Sequence, residues 1–207
     1  MNRGLVFGVI AMATIVVASN ILVQFLLGDW LTWGAFTYPF AFLVTDVMNR
    51  TYGATQARKV VLAGFVVGVI CSLIGTQIML EFGPAVSLRI ALGSGAAFLA
   101  AQLTDVLIFN KLRQGNWWKA PLASTFLGAT LDTALFFSIA FAGAFVFLDP
   151  SEPNGWAREV IPMFGVGPMA PLWVSLAAAD FAVKMSLALV ALGPYRQLTR
   201  GRQPLAE

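Results

Sequence analysis

The chain has 207 residues, 58% of them hydrophobic and only 11% charged, with a net charge of +3. Soluble domains carry about 25% charged residues, so too little polar surface is present to coat a globule, and the composition implies an integral membrane protein. The absence of His removes the commonest general base and metal ligand, and a single cysteine, Cys71, excludes an intramolecular disulfide.

A membrane helix needs about 20 apolar residues. Six stretches qualify, at 4–27, 31–48, 58–80, 86–110, 120–148 and 169–193. They predict an all-α, polytopic six-helix bundle, one unit over 1–207 with no dividing linker. Span one follows Arg3 and stays apolar to Leu27, too long for the core of a signal peptide even though "VASN" (17–20) resembles a cleavage site. It reads as an uncleaved span. Span two contains Pro39, which frees a carbonyl and permits a kink, and ends in "VTDV" (44–47). Span three holds Cys71 in apolar surroundings, where it reads as inert. Span four carries Ala97 and Ala101, a small-x-x-x-small pair that suits helix packing within the chain or in a homo-oligomer, and ends in "LTDV" (103–106). Span five has Asp132 near its middle. The segment "VIPMFGVGPMAPLW" (160–173) is broken by Pro162, Pro168 and Pro171, so it predicts an irregular connection or a lid. Span six places Asp180 and Lys184 four apart on one face.

Basic residues sort to one side. Arg3, Arg50, Arg58, Lys59, Lys111, Arg113, Lys119, Arg196, Arg200 and Arg202 fall in alternate connections and at both termini. The other connections hold Asp29, Glu81, Asp149, Glu152 and Glu159, with Arg89 and Arg158 as their cations. The positive-inside rule therefore puts both termini in the cytoplasm. The same sorting accounts for the net charge, and no nucleic-acid partner is expected. Trp30, Trp33, Trp156 and Trp173 mark the outer interface, and Trp117 and Trp118 the inner one.

Charges inside spans cost about 2.5–3.5 kcal/mol each on insertion scales, so they usually face a bundle interior or a watery cavity. Asp180 and Lys184 are expected to pair, and loss of Asp180 is expected to harm folding more than loss of Lys184. Thr125, Asp132 and Phe136 share a helical face, and Asp132 is the leading candidate for ligand contact. Asp46 and Asp105 lie at similar depth near helix C-termini, where the dipole disfavours an anion. Arg50, Arg58, Lys59, Lys111 and Arg113 are their candidate partners, in ion pairs that pin the inner loops. Alternatively, the two acids form an inner gate or part of the site.

This inventory, with Gln102, Asn49 and many aromatics, suits a small, flat, hydrogen-bonding solute. No H-E-x-x-H, G-x-S-x-G, G-x-G-D or phosphate loop occurs, and no cofactor or metal is expected. Facing Asp residues still leave an intramembrane enzyme open as the competing class.

"YPFAFLVTDVMNRTYG" (38–53), "FLAAQLTDVLIFNKLR" (98–113), "WWKAPLASTFLGATLDTALFFSIAF" (117–141) and "DFAVKMSLALVALGPYR" (180–196) together resemble the queuosine precursor transporter family, also described as vitamin-uptake-type transporters. Asp46, Asn49, Tyr52, Gly53, Gln102, Asp105, Ser124, Thr125, Asp132 and Lys184 keep the family pattern. Arg50 stands where an acid is common, and Lys119 where Arg is usual. The resemblance implies uptake of 7-cyano-7-deazaguanine, and of its aminomethyl relative, across the bacterial inner membrane for queuosine made in tRNA. It implies six spans, like the substrate-binding subunits of energy-coupling-factor transporters, but work without an ATPase module. From the residues alone, proton coupling, facilitated diffusion and an ATPase partner in a vitamin or nucleobase uptake complex all stay open. The expected substrate-binding set is Asp132, Asp105, Gln102, Asn49, Asp46, Lys184 and Thr125, with Phe136 or Phe137 stacking on the ring.

Overall fold

A computed structural model describes residues 3–81, 83–151 and 153–201. Glu152 and Arg202, two of the charges used for the topology, lie outside the described residues. The described chain is mostly helical: α1 (Arg3–Leu22), α2 (Gly34–Thr37), α3 (Phe40–Tyr52), α4 (Ala54–Gln77), α5 (Leu88–Leu112), α6 (Lys119–Phe141) and α7 (Leu172–Thr199). Among the described residues five helices, α1, α4, α5, α6 and α7, are long and apolar enough to cross a membrane.

The second expected span is the exception. It is divided into the four residues of α2 and the thirteen of α3. Pro39 supplies no N–H, so the helical ladder is interrupted at Tyr38–Pro39 although both residues keep right-handed helical angles. The other corrections are at helix ends. Residues 23–27 leave α1 and enter a hairpin, β1 (Leu26–Leu27) with β2 (Leu31–Thr32), turned through Gly28 at φ +64°. Span five stops at Phe141, because Ala142 is extended, and Gly143–Leu148 form a 3-10 turn instead.

Two further hairpins, β3 (Met79–Leu80) with β4 (Gly83–Pro84) and β5 (Val160–Pro162) with β6 (Met169–Pro171), close the same end of the bundle. The proline-broken segment is thus an ordered hairpin. Gln24 Nε2 donates to the Ala85 carbonyl, and Trp30 meets Phe164 edge-on at 5.6 Å, so the three connections are tied together. At the opposite end Gly53, at φ +83°, lets α4 start directly after α3. There Arg50 donates to the Arg113 carbonyl and Arg196 stacks on Trp117 at 4.8 Å.

The core is built from close helix contacts. Met12 of α1 is fully buried against Gly64 of α4 and Gly8 of α1 faces Met48 of α3, so α1 is packed into the bundle. Gly93, Ala97 and Ala101 repeat every four residues along α5 and are buried. At Gly93 the α6 backbone is close enough to touch an added Cβ, and at Gly128 of α6 the Ala101 carbonyl is. The Ala97/Ala101 stripe is therefore used inside the chain. Large apolar side chains such as Phe7, Leu62, Leu73 and Leu189 point outward, as a lipid-facing surface requires.

Arg89 departs from its expected place as a loop cation. It is buried, and its guanidinium donates to the carbonyls of Ile139 (3.0 Å) and Ala142 (2.5 Å). It thereby satisfies the exposed C-terminal carbonyls of α6 and its dipole. Arg89→Met should cost about 1.5–3 kcal/mol, the range for hydrogen bonds to a charged group. A lower unfolding midpoint in detergent checks this; an unchanged midpoint contradicts it.

Candidate functional site

α3 is short but central, touching α1, α4, α5, α6 and α7. Residues 38, 42, 45 and 49 recur at helical spacing and put Tyr38, Phe42, Thr45 and Asn49 on one stripe. Two buried polar clusters lie along that stripe, with Phe42 between them.

The outer cluster is charged. Lys184 Nζ on α7 donates to Asp132 Oδ2 of α6 at 2.6 Å and to Asp180 Oδ2 of α7 at 2.5 Å. Its third proton reaches Thr133 Oγ1 at 3.2 Å, which uses all three ammonium donors. Tyr38 O–H donates to the other Asp132 oxygen at 2.9 Å, and Lys184 also lies 5.4 Å from the centre of the Tyr38 ring. Thr133 Oγ1 donates to Asp180 at 3.0 Å. The expected Asp180–Lys184 pair is present, but it is half of a triad. Both oxygens of Asp132 are engaged within it.

The inner cluster is polar and less completely paired. Thr45 Oγ1 lies 2.6 Å from Gln102 Oε1, and Asn49 Nδ2 donates to the Val106 carbonyl at 3.0 Å. Ser124 O–H donates to Asp46 Oδ1 at 3.2 Å. Asp105 lies beside Asp46 and Ser124, so "VTDV" and "LTDV" bring their two carboxylates together across α3 and α5. Gln102 Nε2, Asn49 Oδ1 and both oxygens of Asp105 are buried with no well-formed hydrogen bond from the described residues. The expected Asp–Arg and Asp–Lys pairs are not what holds this region. Asp46 faces Ser124, Asp105 and Thr125, and Arg50 faces a carbonyl. Among the described residues Arg58, Lys59 and Lys111 are exposed and Arg50 turns to the Arg113 carbonyl, so none of these four pairs with either Asp.

A crevice of about 10 Å³, room for about one water, runs between α3, α6 and α7 and is walled by Phe42, Asp46, Thr125 and Tyr195. Thr125 is thus on the inner cluster, while Asp132 of the same face belongs to the outer one. Phe136 and Phe137 pack with Phe141 and Trp173 beyond the charged triad. The rings next to the polar clusters are instead Tyr38, Phe42 and Phe98. Tyr38, Thr45, Ser124 and Thr133 belong to these clusters and are not among the residues expected from the sequence. The spacing 38–42–45–49 carried the signal for the first two.

The facing carboxylates of Asp46 and Asp105 do meet the pairing that an intramembrane protease would need, so geometry alone leaves that class standing. Comparison with known proteins decides it. A family model described as "Putative vitamin uptake transporter" matches residues 32–197. The "Queuosine precursor transporter" of Escherichia coli K12 is 33% identical over 195 residues, 87% of this chain and 79% of that protein. The "Probable queuosine precursor transporter" of Haemophilus influenzae is 40% identical over 139 residues, 61% of this chain and 57% of that protein. The protein of the same description from Bacillus subtilis is 26% identical over 189 residues, 82% and 72% respectively. No solved structure matches the chain. These relatives are transporters, not enzymes, and the chain belongs to their vitamin uptake transporter family.

Proposed function

We propose that this protein imports queuosine precursors, 7-cyano-7-deazaguanine first among them, with its aminomethyl relative as a second substrate. The observation that carries the reading is the 33% identity, along most of both chains, to a protein named for that transport. The interior supports it. A bundle whose outside is apolar keeps two clusters of hydrogen-bonding groups along one central stripe, and polar groups at that depth face a substrate path. The working architecture is six spans, with α2 and α3 as one broken span beside the five long helices, as in energy-coupling-factor substrate subunits. A broken helix next to polar groups is the arrangement transporters use for binding at mid-membrane. The positive-inside distribution supports cytoplasmic termini and an inner-membrane location. Transport proceeds in this reading without an ATPase module. The substrate-binding candidates are Asp105, Gln102, Asn49, Asp46 and Thr125 on the inner side, and Asp132 with Lys184 on the outer.

The test is growth of a bacterium unable to make 7-deazaguanines, expressing this protein and fed 7-cyano-7-deazaguanine at low concentration. Queuosine should appear in its tRNA only when the protein is present. Equal queuosine without the protein, or none despite verified membrane expression, overturns the proposal.

A further inference from the structure

The unfilled hydrogen-bonding groups of the inner cluster have a definite chemical sense. Asp105 offers two acceptor oxygens and Asn49 Oδ1 a third, all buried. Gln102 offers a donor. Its amide is anchored to Thr45, and whichever way the amide is turned, at least one of its two N–H groups has no protein partner. Gln102 and Asp105 are three residues apart on one helix face, so donor and acceptors are neighbours. Asp46 stands next to Asp105, so the carboxyl groups of α3 and α5 border the same place. Buried polar atoms are nearly always satisfied, so four such atoms in one place need a partner.

The outer cluster has no such vacancy in its bonding. Asp132 is engaged by Tyr38 and Lys184, and Lys184 has no proton left to give. On this ground the reading edge moves from Asp132, the leading candidate of the sequence, to Asp105.

We infer that Asp105 and Gln102 read the 2-amino-4-oxopyrimidine edge of the substrate. The carboxylate accepts from the ring N–H and the exocyclic amine, and the Gln102 amide donates to the ring carbonyl. This rests on the proposed transport of 7-deazaguanines and names the residues that set its specificity. Both side chains are fully buried, so binding needs the helices to part, and the crevice between α3, α6 and α7 that reaches their neighbour Asp46 marks α7 moving off α3 as the way in. α7 suits that motion: its buried positions are only Ser175, Lys184 and Tyr195, and the crevice to Asp46 already runs along it.

The test is calorimetric binding to the purified protein in lipid nanodiscs. The probes are 7-cyano-7-deazaguanine, 7-deazaguanine and 7-deazaxanthine. Xanthine-type bases replace the amine donor with a carbonyl acceptor. Asp105→Asn converts one acceptor to a donor, so it should weaken both guanine-type probes roughly 10- to 100-fold and strengthen 7-deazaxanthine, the discrimination expected of a bidentate base contact. Gln102→Met, which keeps the carboxylate, should weaken all three probes while preserving the preference for the 2-amino base. A purely structural role would not exchange one base for the other. Native-like binding of 7-cyano-7-deazaguanine by Asp105→Asn, or a loss with no gain for 7-deazaxanthine, overturns the inference and leaves the transport reading intact. Failure of the native protein to bind any 7-deazaguanine overturns both.

Discussion

Lys184→Met should destabilise the protein by about 3–5 kcal/mol, the usual cost of removing one partner from a buried ion pair. The ammonium is the hub of the outer cluster. Removing it leaves Asp132 and Asp180 side by side in a low-dielectric interior with no cation between them. Asp180→Ala is milder, because Lys184 keeps its 2.6 Å bond to Asp132. This order reverses the one expected from the i,i+4 pair alone. In that picture loss of Asp180 strands a cation; in the structure Asp132 supplies the second anion.

The position of Lys184 in α7 adds to the effect. Only Ser175, Lys184 and Tyr195 of α7 are fully buried, so Lys184 is one of few deeply seated side chains on this helix. Unfolding midpoints of the two variants in detergent test the order. Lys184→Met should fall well below Asp180→Ala, and adding Asp132→Asn and Asp180→Asn to Lys184→Met should recover part of the loss. Equal midpoints for the two single variants would contradict the triad as the anchor of α7.

How far the chain could be read in advance follows from what each signal measures. Hydropathy located all five long helices, because a membrane helix must be apolar over its whole length. The signal is coarse at the ends. Apolar residues 23–27 and 143–148 belong to a hairpin and a 3-10 turn, which an interfacial loop tolerates as readily as a helix does. Pro39 did announce the break in span two, through its missing N–H. The buried charges were legible one by one, because Asp and Lys inside apolar runs demand an explanation. Their partners were not. Only the packing of α6 on α7 joins Asp132 to Lys184 across 52 residues, and only the meeting of α3 and α5 puts Asp46 next to Asp105. Arg89 misled for the same reason: its sequence neighbours are those of a loop, but its carbonyl partners lie 50 and 53 residues away.

Gly128→Leu should abolish both folding yield and uptake, and the reason is visible in what a side chain would meet there. A Cβ on Gly128 would lie 2.8 Å from Phe42 Cε1, 3.2 Å from the Ala101 carbonyl oxygen and 3.5 Å from Asp105 Cβ. Ala101 O is backbone, so it yields only if α5 and α6 part along their whole close contact. Phe42 is about 1% exposed and packed between Ala101 and Ala129, so it has no free space to turn into. Even Gly128→Ala should cost about 1–3 kcal/mol, the usual penalty for overpacking a well-filled core. Leucine adds three more carbons at the level where Phe42 separates the two polar clusters, and so disturbs both. Gly193 of α7 is the matched control, because a Cβ there meets nothing within 4 Å. Gly193→Ala should be neutral or stabilising by up to about 1 kcal/mol through helix propensity alone. The comparison is the difference in unfolding midpoint between the two alanine variants. A clear drop for Gly128→Ala alone means that close approach of α5, α6 and Phe42 sets the geometry of the polar interior. Matching midpoints would mean that the interface can open by a few tenths of an ångström without loss, and that Phe42 is not held in place by it.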